Sequence, residues 1–355
     1  MYPALAVLEQ LNAEHTDVQT LWIGGEGGME RDLVTKAGVD FISIPAAGLH
    51  GVGLRRLPGN TVQIIRGLVA ARRLLRRYKP DLMFFTGGYV AVPIALVGRR
   101  TPTVLYVPDI EPGIALKLLA RFADRIVLTA EESKTYFPHK KGMVVTGYPV
   151  RADLSVWEKD EAYNVFGLSP QLPTLLVTGG SLGSLTINKV ITEILPTLLK
   201  EMQIIHLTGK LTWPQFENVR ESLTPEDAQR YRSFPYLHER MGAAYTIADL
   251  VISRAGASSL GEYPHFGLPA ILVPYPYAWR YQKTNADYLV RKNAALILED
   301  SEMQDRLLPL ITELMRDQTR RIEMKDAMRN LAGRNSAALI ANLIRETTAL
   351  TNQVH

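Results

Sequence analysis

The sequence contains no cysteine among its 355 residues. Disulfides, thiolate nucleophiles, zinc fingers and iron–sulfur clusters are therefore excluded, and a metal would need histidine or carboxylate ligands. A cysteine-free chain fits a reducing cytosol. No apolar run reaches the roughly 18 residues of a membrane span, and the first residues lack the charged and then apolar order of a signal peptide. We therefore expect the protein to stay inside the cell, in water or on a membrane face.

Acidic residues are scarce in one long stretch of the first half. Residues 1–150 carry 18 Lys and Arg against 13 Asp and Glu, while the remainder carries 22 against 23. Between Phe41 and Pro108 the only acid is Asp81, against ten basic residues. Residues 62–79 read as a helix in which apolar residues alternate with arginines, a pattern suited to an anionic lipid surface. An ordinary solvated outer helix is the alternative. We do not expect a nucleic-acid partner, because no helix-turn-helix, zinc or aromatic RNA-binding motif accompanies the charge.

Short strand-like runs alternate with helical segments along the chain. This alternation predicts parallel sheets with crossover helices, whose ligands bind beyond the carboxyl ends of the strands. The pattern restarts after Gly147, so we predict an α/β protein with two doubly wound, Rossmann-like domains, 1–150 and 151–334. A C-terminal helix within 335–355 could pack back on the first domain. The predicted strands are Thr20–Gly24, Phe41–Ile44, Leu82–Thr86, Thr103–Val107, Arg125–Thr129, Gly142–Thr146, Thr174–Thr178, Gln203–Leu207, Leu250–Ile252 and Ala270–Val273.

A glycine-rich turn follows the strongest predicted buried strand and opens a helix. Glycines let the backbone approach an anion, and free amides at a helix N-terminus hold phosphate. The order of the glycines differs from the dinucleotide fingerprint and no Walker lysine follows, which disfavours NAD enzymes and P-loop kinases. The turn predicts a phosphate site, with a tight strand-to-helix turn as the alternative. Its residues are Gly179, Gly180, Ser181, Gly183 and Ser184.

A second polar turn, from Arg254 to Ser259, offers amides, hydroxyls and a guanidinium to a diphosphate. Glu262 follows it and is the kind of residue that accepts two ribose hydroxyls. The next strand runs into an aromatic and polar loop, with Asn285 beyond it in reach of a sugar. A capping serine with a solvated first-turn glutamate is the alternative. Two phosphate-type turns in one domain favour a nucleotide-binding site.

Four segments together resemble glycosyltransferase family 28: RAGASSLGE, GGSLGS with the following IN, GYPVR and GGYVAVP. The resemblance extends from Pro3 to Leu343 and implies the GT-B type of fold, in which two Rossmann-like domains face each other across a cleft. It also implies an inverting, metal-independent hexosyltransferase without a cofactor, and the chain indeed has no D-x-D metal motif. The implied reaction moves N-acetylglucosamine (GlcNAc) from UDP-GlcNAc to the MurNAc 4-hydroxyl of undecaprenyl-pyrophosphoryl-MurNAc-pentapeptide, in peptidoglycan synthesis.

The resemblance further implies where the substrates bind. The second domain would take the nucleotide sugar and the first domain the lipid acceptor. Residues 62–79 would contact the anionic inner leaflet, which places the protein as a peripheral enzyme on the cytoplasmic face of the bacterial cell membrane. By this resemblance, Arg151 and Ser181 would lie near the nucleotide, and the backbone after Leu237 would lie against uracil. Ala257, Ser258 and Ser259 would hold the diphosphate, Glu262 the ribose, and Gln282 with Asn285 the GlcNAc hydroxyls. The other expected substrate-binding residues are Asp109, Gly180, Gly183 and Arg254.

The sequence departs from the family pattern in two places. Family members begin with a strand and a glycine-rich loop, whose histidine is a favoured candidate for the catalytic base, just before the segment that starts here at Pro3. That strand would pair on both sides, so we expect the natural start to lie upstream of Met1. In the segment YVPD, Asp109 replaces an asparagine expected near the transferred sugar. Asp109 or Glu111 could serve as the base, and exposed acids in a proline-bounded turn are the alternative.

Two other functions remain open from the sequence alone. The altered YVPD segment and the aromatic loop would also suit a related UDP-sugar transferase or epimerase with a different acceptor. The lack of the histidine loop would suit a catalytically impaired protein that only binds a UDP-sugar. His50 could face the acceptor, although a lone loop histidine is more often incidental. His206, His238 and His265 show no metal-ligand spacing with acids, so we predict no metal site.

Overall fold

The computed structural model describes residues 1–14, 18–26, 30–45, 57–139, 142–277 and 281–352. The chain divides into two compact units. Unit 1 comprises Met1–Pro149 and Arg334–His355, and unit 2 comprises Val150–Gly333. Both units consist of parallel strands and helices, which confirms the predicted α/β class. Among the described residues, no helix combines the length and apolar character needed to cross a bilayer.

The first part of unit 1 alternates helices and strands. Its elements are α1 (Tyr2–Glu14), β1 (Leu21–Gly25), α2 (Glu30–Lys36), β2 (Asp40–Ile44), α3 (Leu57–Tyr78), β3 (Met83–Phe85), α4 (Ala91–Val97), β4 (Thr103–Val107), α5 (Ile114–Leu119), β5 (Arg125–Leu128) and β6 (Met143–Val145). β1 pairs with β2, and the other four strands form a sheet in the order β3-β4-β5-β6. Both ladders are parallel. Every residue of β4 is buried, as expected for an inner strand of a parallel sheet.

Unit 2 contains one six-stranded parallel sheet. Its elements are α6 (Lys159–Phe166), β7 (Thr174–Thr178), α7 (Leu185–Leu198), β8 (Gln203–Leu207), α8 (Trp213–Phe216), α9 (Pro225–Arg230), β9 (Tyr231–Phe234), α10 (Met241–Ile247), β10 (Leu250–Ser253), α11 (Glu262–Phe266), β11 (Ala270–Leu272), α12 (Tyr281–Arg291), β12 (Ala295–Ile297), α13 (Met303–Arg316) and α14 (Gln318–Arg329). The strand order is β12-β11-β10-β7-β8-β9. The order therefore reverses between β7 and β10, the place where doubly wound sheets bind ligands.

The last helix, α15 (Ser336–Asn352), belongs to unit 1 although it follows unit 2 in the chain. Its buried face packs on α1 and the β4–β5 part of the sheet. The Ser336 hydroxyl donates a hydrogen bond of 2.6 Å to the carbonyl of Thr146. The shared core cluster contains Val7, Leu11, Val104, Tyr106, Val127, Ile340, Ala341 and Ile344.

Candidate active site

The two polar turns that the sequence singled out lie side by side in unit 2. The glycine turn follows β7, the turn at 254–259 follows β10, and these strands pair directly, with Thr178 opposite Ser253. Parallel neighbours end at the same edge of a sheet. Both turns therefore leave the sheet at its carboxyl edge, at the point where the strand order reverses.

The glycine turn presents an open backbone at the start of α7. Gly180 and Ser181 are exposed, and Gly180 has a φ of 85°. Ser184 is the N-cap of α7, since its hydroxyl accepts a hydrogen bond of 3.4 Å from the amide of Ile187. The remaining first-turn amides of this 14-residue helix point along its axis with the positive end of the helix dipole. This arrangement suits a phosphate group.

The segment after β8 closes against the glycine turn. Lys210 donates its amide to the carbonyl of Ser181 at 3.1 Å. Gly183 has a φ of 94°, and a Cβ on it would lie 2.1 Å from the carbonyl oxygen of Thr208. A Cβ on Gly209 would lie 2.1 Å from the Cα of Gly183. The two backbones can approach this closely only because both positions are glycine.

Arg254 joins the loops that follow four adjacent strands. Its guanidinium donates to the Ser184 hydroxyl at 2.7 Å, after β7, and to the carbonyl of Val273 at 3.1 Å, after β11. It also forms an ion pair with Asp300, after β12, and lies 5.3 Å from the ring centre of Tyr275. The sequence predicted contact between Arg254 and a diphosphate. In the structure the guanidinium binds these protein groups and fixes the loops that border the two turns.

The two serines of the second turn, Ser258 and Ser259, differ in exposure to solvent. The Ser259 side chain is buried and its hydroxyl donates to the carbonyl of Gly256 at 2.6 Å. Ala257 and Ser258 are half-buried and reach solvent. Ala257 and Ser258 are therefore more accessible to a ligand than Ser259.

Glu262 is the first residue of α11 and is almost fully buried. The Tyr245 hydroxyl donates to Glu262 Oε2 at 2.7 Å. Burial raises the pKa of Glu262, while this hydrogen bond and the nearby charge of Arg151 act in the opposite direction. The alternative of a solvated first-turn glutamate is therefore wrong. Because Tyr245 binds Oε2, we expect Oε1 to be the oxygen that accepts a ligand hydroxyl.

The two residues predicted to contact the sugar, Gln282 and Asn285, form hydrogen bonds with the neighbouring backbone. Gln282 Oε1 accepts from the amide of Tyr275 at 2.9 Å. Asn285 is fully buried and its Nδ2 donates to the carbonyl of Ala255 at 3.1 Å. Both side chains thus hold loops of the carboxyl edge, and their contact with a sugar stays a prediction.

Two further predicted residues of unit 2, Arg151 and Leu237, lie outside the two polar turns. Arg151 pairs with Asp153 at 3.0 Å and lies close enough to Glu262 to influence its pKa. Leu237 is buried in the segment after β9. Their predicted contacts with the nucleotide and with uracil stay predictions.

Asp109 and Glu111 form a separate group in unit 1, after β4. Glu111 is 3% exposed and its carboxylate lies 3.5 Å from Lys117 Nζ, so it is not an exposed acid. Asp109 is half-buried. Burial of the Tyr106 side chain and, to a smaller extent, the charge of Asp109 raise the pKa of Tyr106. His50 lies outside the described residues.

Sequence reasoning missed several side chains that shape this edge. Tyr245 and Asp300 are distant in sequence from the motifs they support, so no local pattern marks them. Asn188 lies in the IN segment that resembles family 28, but the sequence suggests no role for its side chain. In the described part of the chain, no three His, Asp or Glu side chains are grouped as metal ligands would be.

The chain is similar to known glycosyltransferases over almost its whole length. The family model for the glycosyltransferase family 28 N-terminal domain matches residues 1–128, and the model for the family 28 C-terminal domain matches residues 174–344. The UDP-N-acetylglucosamine–N-acetylmuramyl-(pentapeptide) pyrophosphoryl-undecaprenol N-acetylglucosamine transferase of Roseiflexus sp. (strain RS-1) is 37% identical, with 99% of this chain and 93% of that protein covered. The enzyme of the same name from Halothermothrix orenii is 35% identical, with 98% and 95% covered.

A solved structure extends the similarity to three dimensions. The crystal structure of Acinetobacter baumannii MurG aligns with a TM-score of 0.72 and 26% identity, covering 97% of this chain and 95% of that one. The predicted GT-B fold class is thereby confirmed. This chain belongs to glycosyltransferase family 28.

Proposed function

We propose that this protein is a hexosyltransferase that transfers GlcNAc from UDP-GlcNAc to the MurNAc 4-hydroxyl of undecaprenyl-pyrophosphoryl-MurNAc-pentapeptide, a step of peptidoglycan synthesis. The observation that carries this proposal is the identity of 37% and 35%, along nearly the full chain, with enzymes named for that transfer. Neither a UDP-sugar epimerase nor a binding-only protein has comparable support.

The donor binds at the carboxyl edge of the unit 2 sheet in this proposal. The glycine turn and the N-terminus of α7 hold one part of the diphosphate, and Ala257 and Ser258 hold the other. Glu262 accepts hydroxyl hydrogens of the ribose through Oε1. Gln282 and Asn285 serve the GlcNAc moiety. Fixed amides and hydroxyls of this kind stabilise a leaving diphosphate without reorganising during the reaction.

The reaction needs one proton acceptor. The acceptor's 4-oxygen attacks the anomeric carbon, its proton passes to a base, and the bond from that carbon to the UDP oxygen breaks with the electron pair leaving on UDP. We assign the base to Asp109 because Glu111 is nearly fully buried and paired with Lys117. Asp109 is the more accessible of the two carboxylates. A positioned base typically contributes about 10²- to 10⁴-fold to the rate.

A membrane surface is the proposed partner of α3. Ile65 and Val69 are exposed by 56% and 46%, and they continue along one helical face into exposed Arg72, Arg73 and Arg76. Apolar residues that adjoin arginines on one face suit insertion at an anionic lipid interface. We therefore propose a peripheral location on the cytoplasmic face of the bacterial cell membrane, where the undecaprenyl-linked acceptor lies.

The test is transfer of labelled GlcNAc from UDP-GlcNAc to the pyrophosphoryl-linked MurNAc-pentapeptide acceptor by the purified full chain. We expect turnover for the wild type. We expect Asp109→Asn to lower kcat by roughly 100-fold or more while UDP binding is kept, because the base is lost and the donor loops are not.

Glu111→Gln is the matched control, since it makes the same chemical change two residues away. If Glu111→Gln lowers kcat and Asp109→Asn does not, the base is assigned to the wrong carboxylate. If the wild type binds UDP-GlcNAc but transfers nothing to this acceptor under any condition, the proposed reaction is wrong.

A further inference from the structure

A buried polar network lies directly behind the glycine turn. His206 on β8 is fully buried, and so is Asn188 on α7. His206 Nδ1 lies 2.9 Å from the Tyr231 hydroxyl on β9, and His206 Nε2 lies 3.0 Å from Asn188 Oδ1. Buried polar groups in native proteins are kept where each has a partner. This network spans three elements, and none of its side chains has a role in the proposed transfer.

The hydrogen bonds fix the protonation of the imidazole. Asn188 Nδ2 donates to the carbonyl of Thr208 at 2.8 Å and to the Thr212 hydroxyl at 3.1 Å. A carbonyl can only accept, so the Nδ2 side of the amide must face Thr208 and the Oδ1 side must face His206. His206 Nε2 therefore carries the proton, and Nδ1 accepts from the Tyr231 hydroxyl. Burial lowers the pKa of His206 to about 3, so the ring is neutral at neutral pH.

Thr208 connects this network to the glycine turn. Its carbonyl is the atom that a Cβ on Gly183 would approach to 2.1 Å, and the adjoining Gly209 lies against the backbone of Gly183. Asn188 therefore fixes the backbone at Thr208 and Gly209, against which the glycine turn packs. A rotation of the Asn188 amide would bring its oxygen against the Thr208 carbonyl, and this backbone segment would lose its hydrogen bond.

We propose that His206 is a positioning residue for donor binding: through its Nε2 proton it orients the Asn188 amide, which holds Thr208 and Gly209 against the glycine turn. The proposal rests on the proposed function, because it assigns the turn to the diphosphate of the donor. His206 itself touches no substrate in this account.

The test compares UDP binding by calorimetry, donor and acceptor KM, and thermal unfolding for His206→Leu, His206→Gln and Asn188→Asp in the full chain. We expect His206→Leu and Asn188→Asp to weaken UDP binding about tenfold, since a buried hydrogen-bond partner is lost. Donor KM should rise with them and acceptor KM should not. His206→Gln should bind UDP within about threefold of the wild type, because the glutamine amide can also donate to Asn188 Oδ1.

A matched pair of tyrosine variants keeps the test decisive if His206→Leu or Asn188→Asp does not fold. Tyr231→Phe removes the donor to His206 and should weaken UDP binding by a few-fold. Tyr163→Phe makes the same change on a buried tyrosine near Thr174, at the opposite edge of the sheet, and should leave UDP binding unchanged. Deuterium exchange of the segment 179–184 should be faster in Tyr231→Phe than in Tyr163→Phe.

The proposal is overturned if folded His206→Leu binds UDP like the wild type, or if Tyr163→Phe and Tyr231→Phe have equal effects on binding and exchange. It is also overturned if His206→Gln loses as much affinity as His206→Leu. A wild type that binds no UDP at all would instead refute the assignment of the turn to the donor. Exchange at 179–184 would still report whether the network holds the turn.

Discussion

At the level of single residues, Arg254 shows how one side chain can act on a ligand site through its neighbours. Its guanidinium binds groups that follow β7, β11 and β12, while Arg254 itself follows β10. An arginine can do this because its donors form a rigid planar fork. Its pairing with Asp300 is partly buried, with 10% and 21% of the two side chains exposed. Removing one of the two partners would therefore leave the other charge unpaired and only slightly exposed to solvent.

We expect Asp300→Asn to lower the free energy of unfolding by about 2 kcal/mol, because the partly buried guanidinium loses its counter-charge. Donor KM should rise several-fold while acceptor KM stays constant. Denaturant unfolding and initial-rate kinetics would measure both effects. Asp305→Asn, on the exposed face of α13, is the control and should change neither quantity. A donor KM equal to that of the wild type would contradict the role of Arg254 in fixing the loops.

The residues of the site were predictable from the sequence only in part. Ser184, Arg254 and Glu262 stand in local patterns whose chemistry is readable, and the structure places all three at one sheet edge or beside it. Their partners could not be predicted, because Asp300 lies 46 residues from Arg254 and Tyr245 lies 17 residues from Glu262. Pairing of distant residues is set by the sheet order, which no local pattern contains.

At the level of elements, the glycine turn between β7 and α7 has two left-handed positions with different surroundings. Gly180 has a φ of 85°, and a Cβ added there would meet no atom within 4 Å, whereas a Cβ on Gly183 would meet the carbonyl of Thr208. Gly180→Ala should therefore cost only the backbone strain, about 1 kcal/mol. Gly183→Ala should cost clearly more in thermal unfolding and should abolish detectable UDP binding.

Because both substitutions add one methyl group to the same turn, each is the control for the other. Equal losses of stability would mean that contact between Gly183 and the segment after β8 contributes nothing. Calorimetric UDP titration of Gly180→Ala would show in addition whether the exposed half of the turn tolerates a side chain.

The elements themselves were predicted unevenly. β4, β7 and β8 have the predicted bounds, and every residue in these three strands is buried. β9 and β12 were not predicted: the first contains Arg232 and Ser233, and the second has only three residues. α3 begins at Leu57, ahead of the predicted Val62, since Pro58 fits the first turn of a helix and does not break it.

At the level of the whole molecule, the excess of positive charge lies in one half of the chain. We expect the full chain to bind vesicles that contain phosphatidylglycerol and to dissociate as the salt concentration rises, since exposed charges are screened. The combined variant Arg72→Gln, Arg73→Gln and Arg76→Gln should weaken binding strongly, at about 1 kcal/mol for each charge removed. Vesicle sedimentation measures the effect.

The matched control removes three exposed arginines from unit 2: Arg306→Gln, Arg316→Gln and Arg320→Gln. It changes the net charge equally and should leave vesicle binding unchanged. If both triple variants lose binding alike, the attraction comes from net charge and not from α3.

The position of α15 bears on the order in which the protein can fold as it is synthesised. The core between α1 and the sheet of unit 1 requires Ile340, Ala341 and Ile344, which leave the ribosome only after all of unit 2. Val7 and Leu11, which are made before unit 2, have part of their apolar surface uncovered until these partners are made. Unit 2 is under no such delay, because its whole sheet lies within one uninterrupted stretch of chain. Unit 1 is thus begun before unit 2 and completed after it, and its uncovered apolar surface is prone to aggregation in the interval.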